Sequence, residues 1–285
     1  PESKNPNSLT SGKIKRLYLD SKGHIWVRTY SDIVHCYDPM TENFIQLYDK
    51  KADLLIKHNF YYEDKQANVW LGSVTNGCVK ISFDGKKVIS KTFSTTDETN
   101  KIPSNTITDI FQDSQLNTWI LTSKGITCVN NDKIIPILKN RLKTIRYLKA
   151  YEINNKVYFV GENGTITVYN LKEKNFTSDF YLNVHSNFSQ IALLGTKIVI
   201  SSESKNDVLI FDTSNNTFLS GESFYGERIT GGINFITNEF GDVLANNFSG
   251  NVWIWIKKLD KTIKLNLIPP TVLHLIDDER FQFLG

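Results

Sequence analysis

One block of residues returns along this chain at intervals of 38 to 49 residues, about 43 on average, and no other feature limits the fold as tightly. Its three clearest copies are Ile14–Thr29, Asn59–Ser73 and Ile107–Thr122. Each has an apolar run, an Asp, a short polar turn, a Trp six residues after the Asp, and a Ser or Thr three residues beyond the Trp. The anchors are Asp20/Trp26, Asp64/Trp70 and Asp113/Trp119. The pattern then fades without stopping. Lys156–Gly161, Lys197–Ser202, Asp242–Asn247 and Arg280–Gly285 fall where further copies belong, with Tyr158, Val199, Leu244 and Gln282 in the Trp position.

A unit of this length holds four strands. In the third copy the first strand is Ile107-Thr108-Asp109-Ile110-Phe111-Gln112, and a turn at 113–117 leads into the Trp strand. A second turn at Ser123-Lys124-Gly125 leads into Ile126-Thr127-Cys128-Val129, and a more variable fourth strand follows. Gly23, Gly77, Gly125, Gly164, Gly241 and Gly250 sit where tight reversals need positive φ. No segment carries a capped stripe of 3.6-residue period. The expected class is all-β. One four-strand sheet cannot bury both of its faces, whereas a ring of such sheets can. A sandwich needs no such period, and a solenoid needs polar caps that are absent. The sequence therefore predicts a single β-propeller of about seven four-stranded blades over 1–285, at roughly 13–54, 55–102, 103–142, 143–183, 184–228, 229–270 and a partial 271–285. For the last, either residues 1–12 supply a closing strand or the chain continues beyond Gly285; the turn-rich Asn5–Gly12 favours continuation.

Composition agrees. Aromatics make up 12% of the 285 residues, the kind that fill pleated, half-buried strands. Charge is balanced at +3, from 33 basic and 30 acidic residues, so no basic stripe marks a nucleic-acid surface. The densest basic run, Lys139, Arg141, Lys143, Arg146 and Lys149, reads as a solvated segment. The longest apolar runs, such as Val252–Ile256, have strand length, far short of a membrane span. The chain starts at Pro1, so any leader or anchor ahead of it lies outside this sequence. Cys36, Cys78 and Cys128 are odd in number, without a CxxC pair, and read as small buried apolar residues.

Catalytic patterns are absent. The five histidines, His24, His35, His58, His185 and His274, lie far apart, with no HExxH or paired-His spacing for a metal. No nucleophile elbow, P-loop or dinucleotide fingerprint occurs, and neither cofactor nor metal is expected. Asp20, Asp64 and Asp113 each follow a first strand, where a carboxylate caps a turn. Trp26, Trp70 and Trp119 could stack on sugars, but their fixed place in a middle strand assigns them to the core between blades.

The block Ile102-Pro103-Ser104-Asn105-Thr106-Ile107-Thr108-Asp109-Ile110-Phe111-Gln112-Asp113, followed by Asn117-Thr118-Trp119-Ile120-Leu121-Thr122-Ser123-Lys124-Gly125-Ile126, resembles the two-component-regulator propeller repeat. Asn7-Ser8-Leu9-Thr10 and Trp70-Leu71-Gly72-Ser73 fit the same family. The likeness is one of motif over 7–130 and of position over 143–285, where the Trp is missing. It implies the periplasmic sensor of a Bacteroidetes-type hybrid histidine kinase, an inner-membrane protein. There, tandem propellers precede a β-sandwich domain, a membrane helix and the kinase, and the signals are oligosaccharides. The partners it implies are an oligosaccharide ligand, the neighbouring propeller and β-sandwich domains, and a second copy in a receptor homodimer. It implies no enzyme activity, nucleic acid or membrane contact for this segment.

In a propeller the turn between second and third strands opens on the face where each blade's entering linker lies. Variation on a repeated scaffold gathers in such loops. Those turns carry Tyr30, Asn76, Lys124, Glu162, Asn163, Lys205 and Phe248. Hydrogen-bonding groups and flat rings of this kind suit sugar hydroxyls and C–H faces. A scaffold that binds only proteins, and a propeller lyase or hydrolase with catalytic groups from several blades, are the alternatives.

Overall fold

The computed structural model describes residues 9, 11–30, 33–45, 47, 60–84, 87–135, 145–181, 188, 190–202, 208–220, 233–237, 242–247, 252–259, 261–265, 272–277 and 280–284. Lys205, Phe248, Gly241, Gly250, Lys139, Arg141 and Lys143 lie outside them, as do most of residues 1–12.

The described residues form six four-stranded antiparallel sheets and one two-stranded sheet, each running in strict chain order from its first strand outward. The four-stranded sheets span 14–45, 60–93, 107–135, 147–180, 190–220 and 233–265; the pair is Val272–Asp277 with Arg280–Leu284. A 3-10 turn at Lys257–Leu259 is the one helical element among the described residues. Trp26, Trp70, Trp119, Tyr158, Val199, Leu244 and Gln282 all fall in the second strand of a sheet. The chain divides into two compact units, 1–150 and 151–285.

Within each unit, successive sheets pack face to face. Trp26 and Cys36 of the first sheet meet Val69, Leu71, Val79 and Ile81 of the second. On the second sheet's other face, Trp70, Cys78 and Phe93 meet Ile107, Ile110, Ile120 and Val129 of the third. In the second unit Tyr158, Val160 and Val168 meet Ile198, Ile200 and Phe211. Val199 and Ile210 then meet Ile233, Val243, Trp253 and Trp255. A strand buried on both faces reads as a continuous apolar run rather than an alternating one, as in Val69-Trp70-Leu71 and Trp119-Ile120-Leu121. Cys36, Cys78 and Cys128 are buried free thiols within this packing; burial pushes each thiol well above its ordinary value.

The three-part motif fixes both ends of a second strand. Asp20 Oδ2, Asp64 Oδ2 and Asp113 Oδ2 accept the indole N–H of Trp26, Trp70 and Trp119 at 2.9, 2.9 and 2.8 Å. The other oxygen accepts backbone N–H groups two and four residues on: Lys22 and His24, Gln66 and Asn68, Gln115 and Asn117. At the far end Thr29, Ser73 and Thr122, all fully buried, bond within the second turn. Thr29 donates to Ile33 O, Ser73 Oγ accepts from Thr75 and Asn76 N–H, and Thr122 Oγ1 accepts from Lys124 N–H.

In the fourth and fifth sheets the motif is lost where the first turn shortens. Asp-anchored turns are five residues long, at 20–24, 64–68 and 113–117. The fourth sheet reverses through Asn154-Asn155 alone, both left-handed at φ 52° and 60°, and the fifth through Gly195-Thr196. A two-residue hairpin satisfies its own backbone and leaves no N–H groups for a carboxylate to cap. The aromatic bulk moves as well. In the fifth and sixth sheets Phe211, Trp253 and Trp255 supply it from third strands.

Candidate functional site

In the first unit the second-to-third-strand turns are fastened by the linker entering the next sheet. Thr106 Oγ1 donates to Val74 O at 2.8 Å, and Ser123 N–H donates to Thr106 O at 3.0 Å. Gly77 N–H donates to Asn105 O, and Ile107 N–H to Ser73 O. Thr106 thereby joins the Asn76 turn to the Lys124 turn at one end of the sheets. The side chains of Asn76 and Lys124 are exposed there, and Tyr30 is 65% exposed on the first sheet's equivalent turn. They stand on a rigid rim but enclose no described cavity. In the second unit Glu162 is half-buried, with its carbonyl accepting from Phe188 N–H. Asn163 is exposed, its side-chain oxygen taken by Thr165 N–H at 3.1 Å. Lys205 and Phe248 lie outside the described residues.

The opposite end of the same sheets holds a concave site that the motif does not announce. An antiparallel meander places its first and third turns together, away from the second. Between the second and third sheets these turns border a cleft of about 170 Å³. Its floor is Trp70 and Val129; Gln66, Asn68, Leu116, Asn131 and Asp132 stand around it. Lys80 Nζ reaches across the gap between the sheets to Asp132 Oδ1 at 2.8 Å, lying 5.8 Å from the Trp70 ring centroid. Lys91 donates to the carbonyl of Asp132.

The walls are held by an amide network. Gln112 Oε1 accepts from Lys65 N–H at 2.8 Å, and its Nε2 donates to Gln66 Oε1 at 2.8 Å. Gln112 N–H donates to the Tyr62 hydroxyl at 3.0 Å; burial pushes that phenol up to about 12. Asn68 Nδ2 donates to Asp64, and its oxygen accepts from Ser82 Oγ at 2.7 Å. The same arrangement recurs one sheet on, where Asn117 Oδ1 accepts from Asn130 Nδ2 at 2.7 Å.

Two further carboxylates are perturbed in opposite directions. Burial drives the Asp109 carboxyl up, against the pull of Lys149 Nζ at 3.1 Å. Burial would raise Asp20 too, but hydrogen bonds from the Trp26 indole and from the His24 ring and backbone hold it below its ordinary value. Neither group faces the cleft. Among the described residues no three His, Cys, Asp or Glu side chains gather as a metal site, and no helix is long and apolar enough to cross a membrane.

Sequence reasoning placed the motif residues but missed the cleft. Its lining comes from two repeat copies, 64–80 and 112–132, and the groups that face it, Gln66, Lys80, Leu116, Asn131 and Asp132, are not part of the shared motif. The usable signal was Asn or Gln next to or near the anchor Asp, at Gln66, Asn68 and Gln112.

No protein-family model matches the chain, and no curated protein sequence matches it. Solved structures do. The extracellular domain of BT4673 from B. thetaiotaomicron, described as a hybrid two-component system, has a TM-score of 0.61 at 16% identity over 97% of this chain and 38% of its own. A second structure of that extracellular domain, described as a one-component system, gives 0.50 at 14% over 91% and 44%. The WD40 β-propeller domain of Doa1 gives 0.50 at 13% over 85% and 77%. This chain thus spans less than half of either BT4673 domain. At such identities the likeness is one of fold, an all-β architecture of successive four-stranded sheets consistent with a β-propeller.

Proposed function

We propose that this chain is one ligand-sensing propeller, of about seven blades, from the periplasmic part of a hybrid two-component sensor kinase, and that it recognises an oligosaccharide. The observation that carries the reading is the fold likeness to the extracellular domain of BT4673 over 97% of the chain. The Asp–Trp–Ser/Thr repeat, which resembles the regulator-propeller family, supports it. On this reading the turn residues Tyr30, Asn76, Lys124, Glu162 and Asn163, with Lys205 and Phe248, supply the contact face for the glycan or for a neighbouring propeller. The β-sandwich domain and a second receptor copy are further partners. A ligand that binds one domain arrangement more tightly than another shifts the balance between them, and that shift is the signal. The kinase chemistry belongs to domains downstream, and this chain catalyses nothing.

The test is isothermal titration of the complete ectodomain that contains this chain against a panel of dietary and host oligosaccharides. Saturable heat with at least one of them is expected. A flat response to the whole panel overturns glycan sensing.

A further inference from the structure

The geometry points to the cleft between the second and third sheets as a binding site for a single uncharged polyhydroxylated ring, such as one hexose unit; this assignment rests on the small-ligand reading above.

Size comes first. A cleft of about 170 Å³ has room for about six waters, well below the several hundred Å³ of a drug-sized pocket. It admits one ring and not a chain of them. Charge comes second. Lys80 and Asp132 neutralise each other across 2.8 Å. The Asp64 carboxylate is consumed by its own turn, by Asn68 and by the Trp70 indole. The formal charge left is −1, on an Asp64 carboxylate whose oxygens are already taken, so nothing draws an anion and no open carboxylate beyond the paired Asp132 draws a cation; an added carboxylate would meet the outer oxygen of Asp132.

Open hydrogen-bonding capacity comes third. Gln66 spends its oxygen on Gln112, so its amide N–H groups remain. Asn131 is exposed, with no side-chain partner among the described residues, and offers a donor and an acceptor. Asp132 uses one oxygen on Lys80 and keeps the other. Donors and acceptors therefore stand side by side around one small space, which is what vicinal hydroxyls require, since each both gives and takes a hydrogen bond. Leu116, 46% exposed, supplies an apolar wall for the C–H edge of a ring. The site is also prebuilt. The Gln112 amide ties its two sides together, and the Lys80–Asp132 pair bridges its mouth, so little ordering is left for binding.

The experiment is a side-chain amide NMR titration of the ¹⁵N-labelled 285-residue chain with the methyl glycosides of glucose, galactose, mannose and N-acetylglucosamine, and with glucuronic acid. At least one neutral glycoside is expected to shift the Gln66 and Asn131 amide signals saturably. Asn131→Ala should weaken that binding about tenfold and lower the thermal midpoint slightly, because Ala is strained at φ 46°; Asn131→Gly, free of that strain, should weaken binding as much without lowering the midpoint. Glucuronic acid should bind about tenfold more weakly than its neutral counterpart. The cleft assignment is overturned if no glycoside moves Gln66 or Asn131, if the shifts appear instead at Asn76 and Lys124, or if Asn131→Ala binds as tightly as the parent. A positive oligosaccharide titration beside any of these results leaves glycan sensing standing and removes only the cleft.

Discussion

A carboxylate has two oxygens, and at Asp20, Asp64 and Asp113 they divide the work, one closing a turn while the other holds an indole. This double duty explains why the Asp-to-Trp spacing is a constant six. The turn fixes where the carboxylate sits, and the indole must arrive within hydrogen-bond reach while its ring fills the space between sheets. Asp113→Ala would strand the buried Trp119 N–H and two turn N–H groups together. The expected loss is about 2–4 kcal/mol, read as a lower urea midpoint, with Asp113→Asn falling between the two. Asp20 adds a pH signature. Its folded value lies below the ordinary 3.8, so its contribution is present above that value and disappears as pH falls through the folded one. Urea midpoints measured from about pH 5 down to about pH 2 should drop faster for the parent than for Asp20→Asn. The sequence showed the capping half of this device plainly. It could not show the indole bond, because nothing in a spacing says which side-chain atoms meet.

The Asp-anchored turn is a repeated element with a repeated strain. Its fourth residue is left-handed in all three copies: Gly23 at φ 85°, Ala67 at 56° and Leu116 at 64°. Only glycine takes that conformation without cost. Ala67→Gly is therefore expected to raise stability by about 0.5 kcal/mol, the strain relieved less the added freedom of the unfolded chain. Gly23→Ala should lose a similar amount through backbone strain alone, since nothing lies within 4 Å of the new Cβ. Urea titration of both variants checks the pair. Strands and sheet order were readable in advance because a second strand buried on both faces writes an unbroken apolar run between two turns. The aromatic positions of the later sheets were not. The space between sheets demands a volume and does not prescribe which strand supplies it, so Trp253 and Trp255 fill from a third strand what Trp70 fills from a second. The cleft was hidden for a related reason: its groups become neighbours only after two sheets have packed.

Across sheets, the residue just before an anchor Asp reaches back to the turn of the preceding sheet. Glu63 accepts the backbone N–H of Ser21 at 3.0 Å, and Gln112 accepts that of Lys65 at 2.8 Å. These ties set the rotational register of the first three sheets, which apolar contact alone leaves free to slide. Glu63→Ala and Gln112→Ala should each cost about 1–2 kcal/mol. The double variant should lose the sum within about 0.5 kcal/mol, since the two ties share no partner; a large departure in a three-variant urea cycle would show the sheets coupled by another route. In the fourth sheet the hairpin of Asn154-Asn155 needs no carboxylate, and nothing obliges an Asp or a Trp to stay near it. A signature that resides in a reversal instead of in the layer it joins can be erased by trimming three residues. The likeness among such sheets then outlives its own spelling, legible in coordinates after it has gone from the alphabet.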